Sequence, residues 1–418
     1  MAHVGLVCPN TPGHLNPMVA LADAMRTLGH RVTFFLIADR PPAAVATAGF
    51  EVVLLGGAVY PAGEYHAEIR RLGTLEGRAA MKQTIAIGTR STDAILTNGP
   101  ALVRAAGVAA LIVDQVSSSG GTVADELGMP FATVCNALLL NEEPGIPPFF
   151  THWRPRATAW ARLRNRVAWA GLNRLLAPVV RRIDGHRRRL GLSRHRRLAD
   201  GWSRILQVSQ QPETFEFPRR HLPDHFQFAG PLRLPGGYPP VAFPWERLDG
   251  RPLIYASLGT LQNRVADTFR MIAEACAALD AQLVLSTGNG IAPEALGELP
   301  GGAVAVAYAP QLELLRRSAC TITHAGLNTA LDALSCGVPM VALPVTNEQP
   351  GIAARIAWTG AGEALRLPDA TPRILGDAAR RVQSEPGYRA AAERIRDSIQ
   401  ASGGAARAAE LIERSLGL

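Results

Sequence analysis

In the second half of the chain, His324, Gly326, Asn328 and Thr329 follow directly on the apolar run Ala319–Thr323. An apolar strand that stops at a glycine-containing turn and opens a helix presents unsatisfied backbone N–H groups at the positive end of a helix dipole. Such a place binds anions, and the added imidazole, amide and hydroxyl suit a phosphate. N-capping by Asn328 or Thr329 is compatible with that role. A second short strand, Pro339–Leu343, leads to the polar tip Asn347, Glu348 and Gln349. There a carboxylate accepts, and an amide both donates and accepts, as sugar hydroxyls require. Near the N-terminus, His14 falls in the loop between the strand Val4–Cys8 and a helix predicted to start at about Pro17, and Asp114 ends the strand that begins at Leu111. A neutral imidazole can deprotonate an alcohol, and a carboxylate behind it fixes the tautomer and stabilises the imidazolium. Taken alone, His14 reads as a residue that caps or packs the loop, and Asp114 could equally be a helix cap or a contact of the Ser117–Ser119 turn.

The combination decides between these readings. Gln311, the run from His324 to Thr329, Asp332, the stretch Gly337 to Pro339 and the pair Glu348 and Gln349 resemble the donor-binding signature of the family 1 glycosyltransferases, in type and order over about forty residues. The resemblance implies an α/β protein of the GT-B fold, two Rossmann-like domains facing each other across a cleft. It implies His14 as the base and Asp114 as its partner. On the donor side it implies Ser257, Gly259 and Thr260 as a second phosphate loop and Tyr308, with Ala309, beside the nucleobase. Gln311 would contact ribose or base, Asp332 the ribose hydroxyls, and Glu348 and Gln349 the hexose. Two positions depart from the usual pattern: Tyr308 stands where many relatives carry Trp, and Asp332 where Glu is common. No cofactor and no metal are implied; a nucleotide sugar, UDP-linked rather than dTDP-linked if Asp332 meets a 2′-hydroxyl, is the donor.

The elements that must position these residues are legible in outline. With 418 residues, 47% hydrophobic and 19% charged, the chain accommodates two globular domains. Strand and helix patterns alternate in both halves, which argues parallel sheets covered by helices. The Pro- and Gly-rich stretch Phe215–Pro244 reads as a linker, placing an acceptor-binding domain at 1–227 and a donor-binding domain at 228–402. By the resemblance, a last helix over 403–418 crosses back to the first domain. The five cysteines form no Cys-x-x-Cys pair and read as buried thiols of a reducing, cytoplasmic setting. Neither a signal peptide nor a membrane-spanning stretch is recognisable. The net charge is +8, carried almost entirely by arginine, with Lys82 the sole lysine, and no nucleic-acid-binding motif accompanies it.

The acceptor is read from weaker signals. The segments at about 60–95 and 136–169 are expected to shape its pocket. The run from Thr133 to Asn141, with Ile146 to Phe149 and Phe215 to Arg220, most resembles bacterial zeaxanthin glucosyltransferases, which implies a small lipophilic acceptor such as a carotenoid. Macrolide, polyketide and flavonoid acceptors compete, and so do a nucleotide-sugar epimerase and a non-catalytic nucleotide-sugar-binding partner. Between 151 and 204, fifteen arginines face only Asp184 and Asp200, with Trp153, Trp160 and Trp169 interleaved. A helix touching an anionic membrane surface and a solvated helix with core tryptophans are both open readings.

Overall fold

The computed structural model describes residues 1–418 apart from 58, 76, 239, 260–265 and 289, and the backbone alone at 77 and 78. Thr260 lies outside the described residues. Among the described residues, the first sheet holds β1 (His3–Val7), β2 (Arg31–Leu36), β3 (Glu51–Leu54), β4 (Ala110–Asp114), β5 (Phe131–Cys135), β6 (Gln207–Ser209) and β7 (Phe226–Phe228). They run parallel in the order β3-β2-β1-β4-β5-β6-β7. Central strands such as Leu111–Val113 are apolar without alternation because helices cover both faces. The second sheet holds β8 (Leu253–Ser257), β9 (Gln282–Ser286), β10 (Val304–Val306), β11 (Ser318–Thr323), β12 (Met340–Ala342) and β13 (Gly362–Ala364). These are parallel in the order β10-β9-β8-β11-β12-β13.

Both sheets reverse their winding once, between β1 and β4 in the first and between β8 and β11 in the second. Crevices at the carboxyl ends of strands flanking such a reversal are where open α/β sheets bind ligands. His14 follows β1, Asp114 ends β4, Ser257 ends β8 and His324 follows β11.

The linker is shorter than its composition suggests. Phe215 and Phe217 are fully buried, Phe215 within the second domain's core and Phe217 beside Ile146 and Ala354, and β7 still belongs to the first sheet. Proline and glycine density marks irregular backbone, not exposure. The chain crosses back at Gly403 and Gly404, both at positive φ (84° and 58°). Gly404 donates its N–H to the Ala229 carbonyl at 2.7 Å, and a Cβ there would stand 2.9 Å from the Pro231 carbonyl oxygen. The two crossings are thus pinned together. The final helix, Gly404–Leu416, sets Ala408, Leu411 and Ile412 into the core beneath β1, beside Met18 and Leu21. Cys8, Cys135, Cys276 and Cys320 are buried free thiols, and Cys336 is half-buried.

Candidate active site

On the first sheet the helix begins earlier than expected, at Pro12, and runs to Thr27. Proline at the first helical position loses nothing, because that N–H has no partner anyway. His14 therefore sits on the helix's first turn, and Pro17 lies inside the helix. His14 Nδ1 is 2.8 Å from Asp114 Oδ2. Asp114 is fully buried, and the same oxygen accepts from Asn136 Nδ2 at 2.7 Å while Oδ1 accepts from the Val116 N–H at 2.9 Å. A carboxylate so held takes the proton-bearing Nδ1 of His14 and leaves Nε2 as the acceptor, the arrangement of a general base.

Burial pulls the His14 pKa down, but the charge and hydrogen bond of Asp114 outweigh it, with a further contribution from the Glu348 carboxylate, so the net shift is upward from 6.5. Two consequences follow from that sign. A base at His14 would have to be neutral, so activity that depends on it is expected to fall on the acid side with an inflection above pH 6.5, readable in a pH profile of kcat/KM. The pair's contribution to folding is present in full below pH 6.5 and is lost as pH rises through the raised value.

On the second sheet, β11 ends at Thr323, and Gly326 caps the helix Leu327–Ser335 without a side-chain hydrogen bond. The first-turn N–H groups are left open for an anion. The His324 imidazole is held between two glycines: a Cβ on Gly259 would lie 2.6 Å, and one on Gly326 2.5 Å, from its Nε2. Only glycine permits that approach. Burial depresses the His324 pKa to about 4, so the ring is neutral near pH 7 and suited to hydrogen bonding rather than to carrying a charge.

Asn328 differs from its expected role. Its side chain stands at the cleft but is engaged with the first domain: Nδ2 donates to the Gly13 carbonyl at 3.1 Å, and Oδ1 accepts from Gln210 Nε2 at 3.0 Å. Asp332 differs too. It is fully buried, ion-paired with Arg233 at 2.5 Å, and accepts from Tyr238 Oη at 3.0 Å and Gln311 Nε2 at 2.5 Å. A carboxylate one methylene shorter than Glu stays behind the cleft wall and organises Arg233, Tyr238 and Gln311, which do line it. Burial raises its pKa against the opposing charge of Arg233.

Tyr308 is 44% exposed and lines the cleft with Ala309 and Gln311. Glu348 and Gln349 line it opposite, Gln349 opening the helix that runs to Thr359. The Gln349 Oε1 accepts from the Val345 and Thr346 N–H groups at 2.8 and 3.0 Å, leaving its amide N–H groups to donate. The cleft, about 940 Å³, thus collects His14, Ser257, Gly259, Tyr308, Ala309, Gln311, His324, Gly326, Asn328, Thr329, Glu348 and Gln349. Among the described residues of the expected acceptor segments, Asn136 and Ala137 alone line it; Tyr60, Tyr65, Ile87 and Ile95 pack into the core instead. Arg233 and Tyr238 were not anticipated, since a lone Arg and Tyr among prolines and glycines read as solvent-facing. Among the described residues no group of His, Cys, Asp and Glu could hold a metal ion, and no helix is long and apolar enough to cross a membrane.

Comparison with known proteins shows the family and the fold. Residues 270–414 match the family model for the C-terminal domain of erythromycin biosynthesis protein CIII-like proteins. The zeaxanthin glucosyltransferase of Pseudescherichia vulneris is 33% identical over 100% of this chain and 98% of its own, and that of Pantoea ananas 31% over 99% and 96%. Among solved structures, CalG4, the calicheamicin glycosyltransferase, superimposes with a TM-score of 0.76 at 23% identity, covering 100% of this chain and 98% of the other. The chain belongs to the family 1 glycosyltransferases and has their GT-B fold.

Proposed function

We propose that the cleft carries out inverting, metal-independent transfer of a hexose, glucose from UDP-glucose, to a hydroxyl of a small lipophilic acceptor, a carotenoid such as zeaxanthin in the first instance. The observation that carries this reading is the His14–Asp114 pair at one sheet reversal, in a single cleft with His324 and an open helix N-terminus at the other. His14 Nε2 takes the acceptor's hydroxyl proton as its oxygen bonds to the anomeric carbon. The bond from that carbon to the diphosphate breaks on the opposite face, and the nucleoside diphosphate leaves with its charge on the helix N-terminus and the His324 ring. Glu348 and Gln349 hold the hexose hydroxyls, and Tyr308 lies against the base. A single displacement leaves no sugar on the enzyme. With Asp332 turned away from the cleft, the choice of UDP rests on the family resemblance alone.

An apolar acceptor also needs a route to the cleft, and the helix Ala159–Arg189 supports one. Its inner face buries Trp169, Leu172 and Ile183. Its outer face exposes Trp160 (71%), Leu163 (52%), Val167 (64%) and Leu175 (50%), a ridge at helical spacing beside exposed Arg162, Arg166 and Arg174. An apolar ridge flanked by arginines suits the headgroup layer of an anionic bilayer. Co-sedimentation with anionic liposomes at low salt is expected, and is expected to be lost in Leu163→Glu/Val167→Glu; a wild-type protein left in the supernatant would remove this part of the reading.

The test of function is a mass-spectrometric screen with EDTA present, offering UDP-glucose, UDP-GlcNAc and a dTDP-sugar with zeaxanthin, flavonoid and macrolide acceptors. A hexose-sized gain from UDP-glucose supports the reading. Gain only from the dTDP-sugar, or only on a macrolide or flavonoid, favours a natural-product glycosyltransferase of another specificity. UDP binding with no gain from any pair would point to a non-catalytic binding protein.

A further inference from the structure

The base and the donor helix belong to different sheets, yet a closed ring of hydrogen bonds joins them, and it starts at a proline. Within the helix Pro12–Thr27, the N–H of residue 17 would close on the carbonyl of residue 13. Pro17 has no N–H. The Gly13 carbonyl, one peptide from His14, is therefore left without that helical partner, and Asn328 Nδ2 from the donor helix fills it at 3.1 Å. Asn328 Oδ1 accepts from Gln210 Nε2 at 3.0 Å, and the same Nε2 also donates to the Asn136 carbonyl. Asn136 Nδ2 then donates to Asp114 Oδ2, the oxygen that binds His14. Gln210 and Asn136 are each 2% exposed, at the carboxyl ends of β6 and β5.

We propose that this ring sets the position of the base relative to the diphosphate site, with Pro17, Gln210 and Asn136 as positioning residues. The inference rests on the proposed function for its kinetic part. The donor helix contributes its first-turn N–H groups to the leaving diphosphate, while its Asn328 side chain docks on the turn that carries His14. Gln210 spans the two domains and ties that docking to Asn136, which orients the carboxylate behind the base. Transfer needs the hydroxyl oxygen, the anomeric carbon and the leaving oxygen in line, so a small slip between the two sheets costs rate without costing donor affinity. A proline inside a helix weakens the helix; here it frees the one carbonyl that the partner domain uses.

Three variants separate positioning from packing. In Pro17→Ala a new N–H competes with Asn328 for the Gly13 carbonyl. The melting temperature is expected to stay level or rise while kcat falls roughly three- to tenfold, with UDP affinity by calorimetry unchanged. Gln210→Met is expected to give a similar loss in kcat, again without a change in UDP affinity. Asn136→Ala removes a donor from Asp114 Oδ2 and concentrates negative charge on His14. The charged groups acting on that imidazole are Asp114 and, across the cleft, Glu348. Its titration, followed by NMR without substrate, is therefore expected to move up in Asn136→Ala and to stay in place in Gln210→Met. Wild-type kcat in both Pro17→Ala and Gln210→Met, or losses of activity that track losses of melting temperature, would overturn the proposal. An unmoved His14 titration in Asn136→Ala would overturn it too. Because that arm needs no acceptor, it still decides Asn136's part if the wild type transfers nothing, which would instead be a failure of the proposed function.

Discussion

Replacing His14 by alanine is expected to lower the rate of sugar transfer by about 10²- to 10⁴-fold, the usual contribution of a positioned general base, and to leave UDP affinity unchanged. The separation follows from where the ring sits. His14 is on the first sheet's side of the cleft, bonded to Asp114 at 2.8 Å, while the proposed diphosphate site, formed by Gly326, the first turn after it and His324, is on the second sheet's side. Nothing in the diphosphate site is lost with the imidazole. His324→Ala is expected to act differently, weakening UDP binding and turnover together, because a neutral ring between Gly259 and Gly326 serves the bound diphosphate and the departing one alike. Single-turnover transfer by mass spectrometry, with UDP titrations by calorimetry, checks both. Retained transfer in His14→Ala would remove the base from the mechanism.

The second large effect is on stability. Arg355→Ala is expected to destabilise the protein by about 3–5 kcal/mol, as breaking one side of a buried ion pair does. Glu216 and Arg355 are each 1% exposed at their side chains and meet at 2.5 Å, Glu216 at the end of the short helical turn Glu213–Phe215 and Arg355 on the helix Gln349–Thr359. Glu216 also accepts from Gln211 Nε2 at 2.7 Å and from Arg219 Nε at 3.3 Å, and the Arg355 guanidinium lies 4.1 Å from the centre of the Phe217 ring. Alanine would leave the Glu216 charge in the dark with too few partners. Burial alone would raise the Glu216 pKa, but the charges of Arg355 and Arg219 reverse that and hold it below its usual value. The pair's contribution is therefore present at neutral pH and is lost as pH falls through the depressed pKa. By contrast, Arg31→Ala breaks a pair with Glu51 in which both side chains are more than half exposed, and is expected to change stability by less than about 1 kcal/mol. Chemical denaturation of the two variants side by side checks the contrast. Equal, small effects would mean that the interface at Glu216 contributes nothing to holding the fold.

What could be read in advance, and what could not, divides along physical lines. The parallel sheets were legible because strands covered on both faces are apolar runs, such as Leu111–Val113 and Met340–Ala342. The strand, glycine turn and helix start proposed as the anion site were legible because they are backbone geometry written locally in residues 319–329. The start of the first helix was misplaced by five residues, because two prolines compete for its first turn and only tertiary context selects Pro12. Asp332 and Asn328 were matched to ligand roles by type and order. Their partners Arg233, Tyr238, Gln210 and Gly13 lie about 95 to 315 residues away in sequence, and no local pattern announces such pairings. The same holds for Glu216 and Arg355, 139 residues apart. The acceptor pocket was least legible, since the aromatic residues expected to line it are equally good core, and Tyr60 and Tyr65 pack there against each other.

The central claim is a single displacement with His14 as base, and the anomeric configuration of the product tests it most directly. With UDP-α-glucose as donor, EDTA present, and the acceptor that responds best in the screen, a β-glucoside is expected by proton NMR. An α-glucoside formed by the wild-type enzyme would contradict it, because retention requires a second displacement or a front-face route that the His14–Asp114 geometry does not provide.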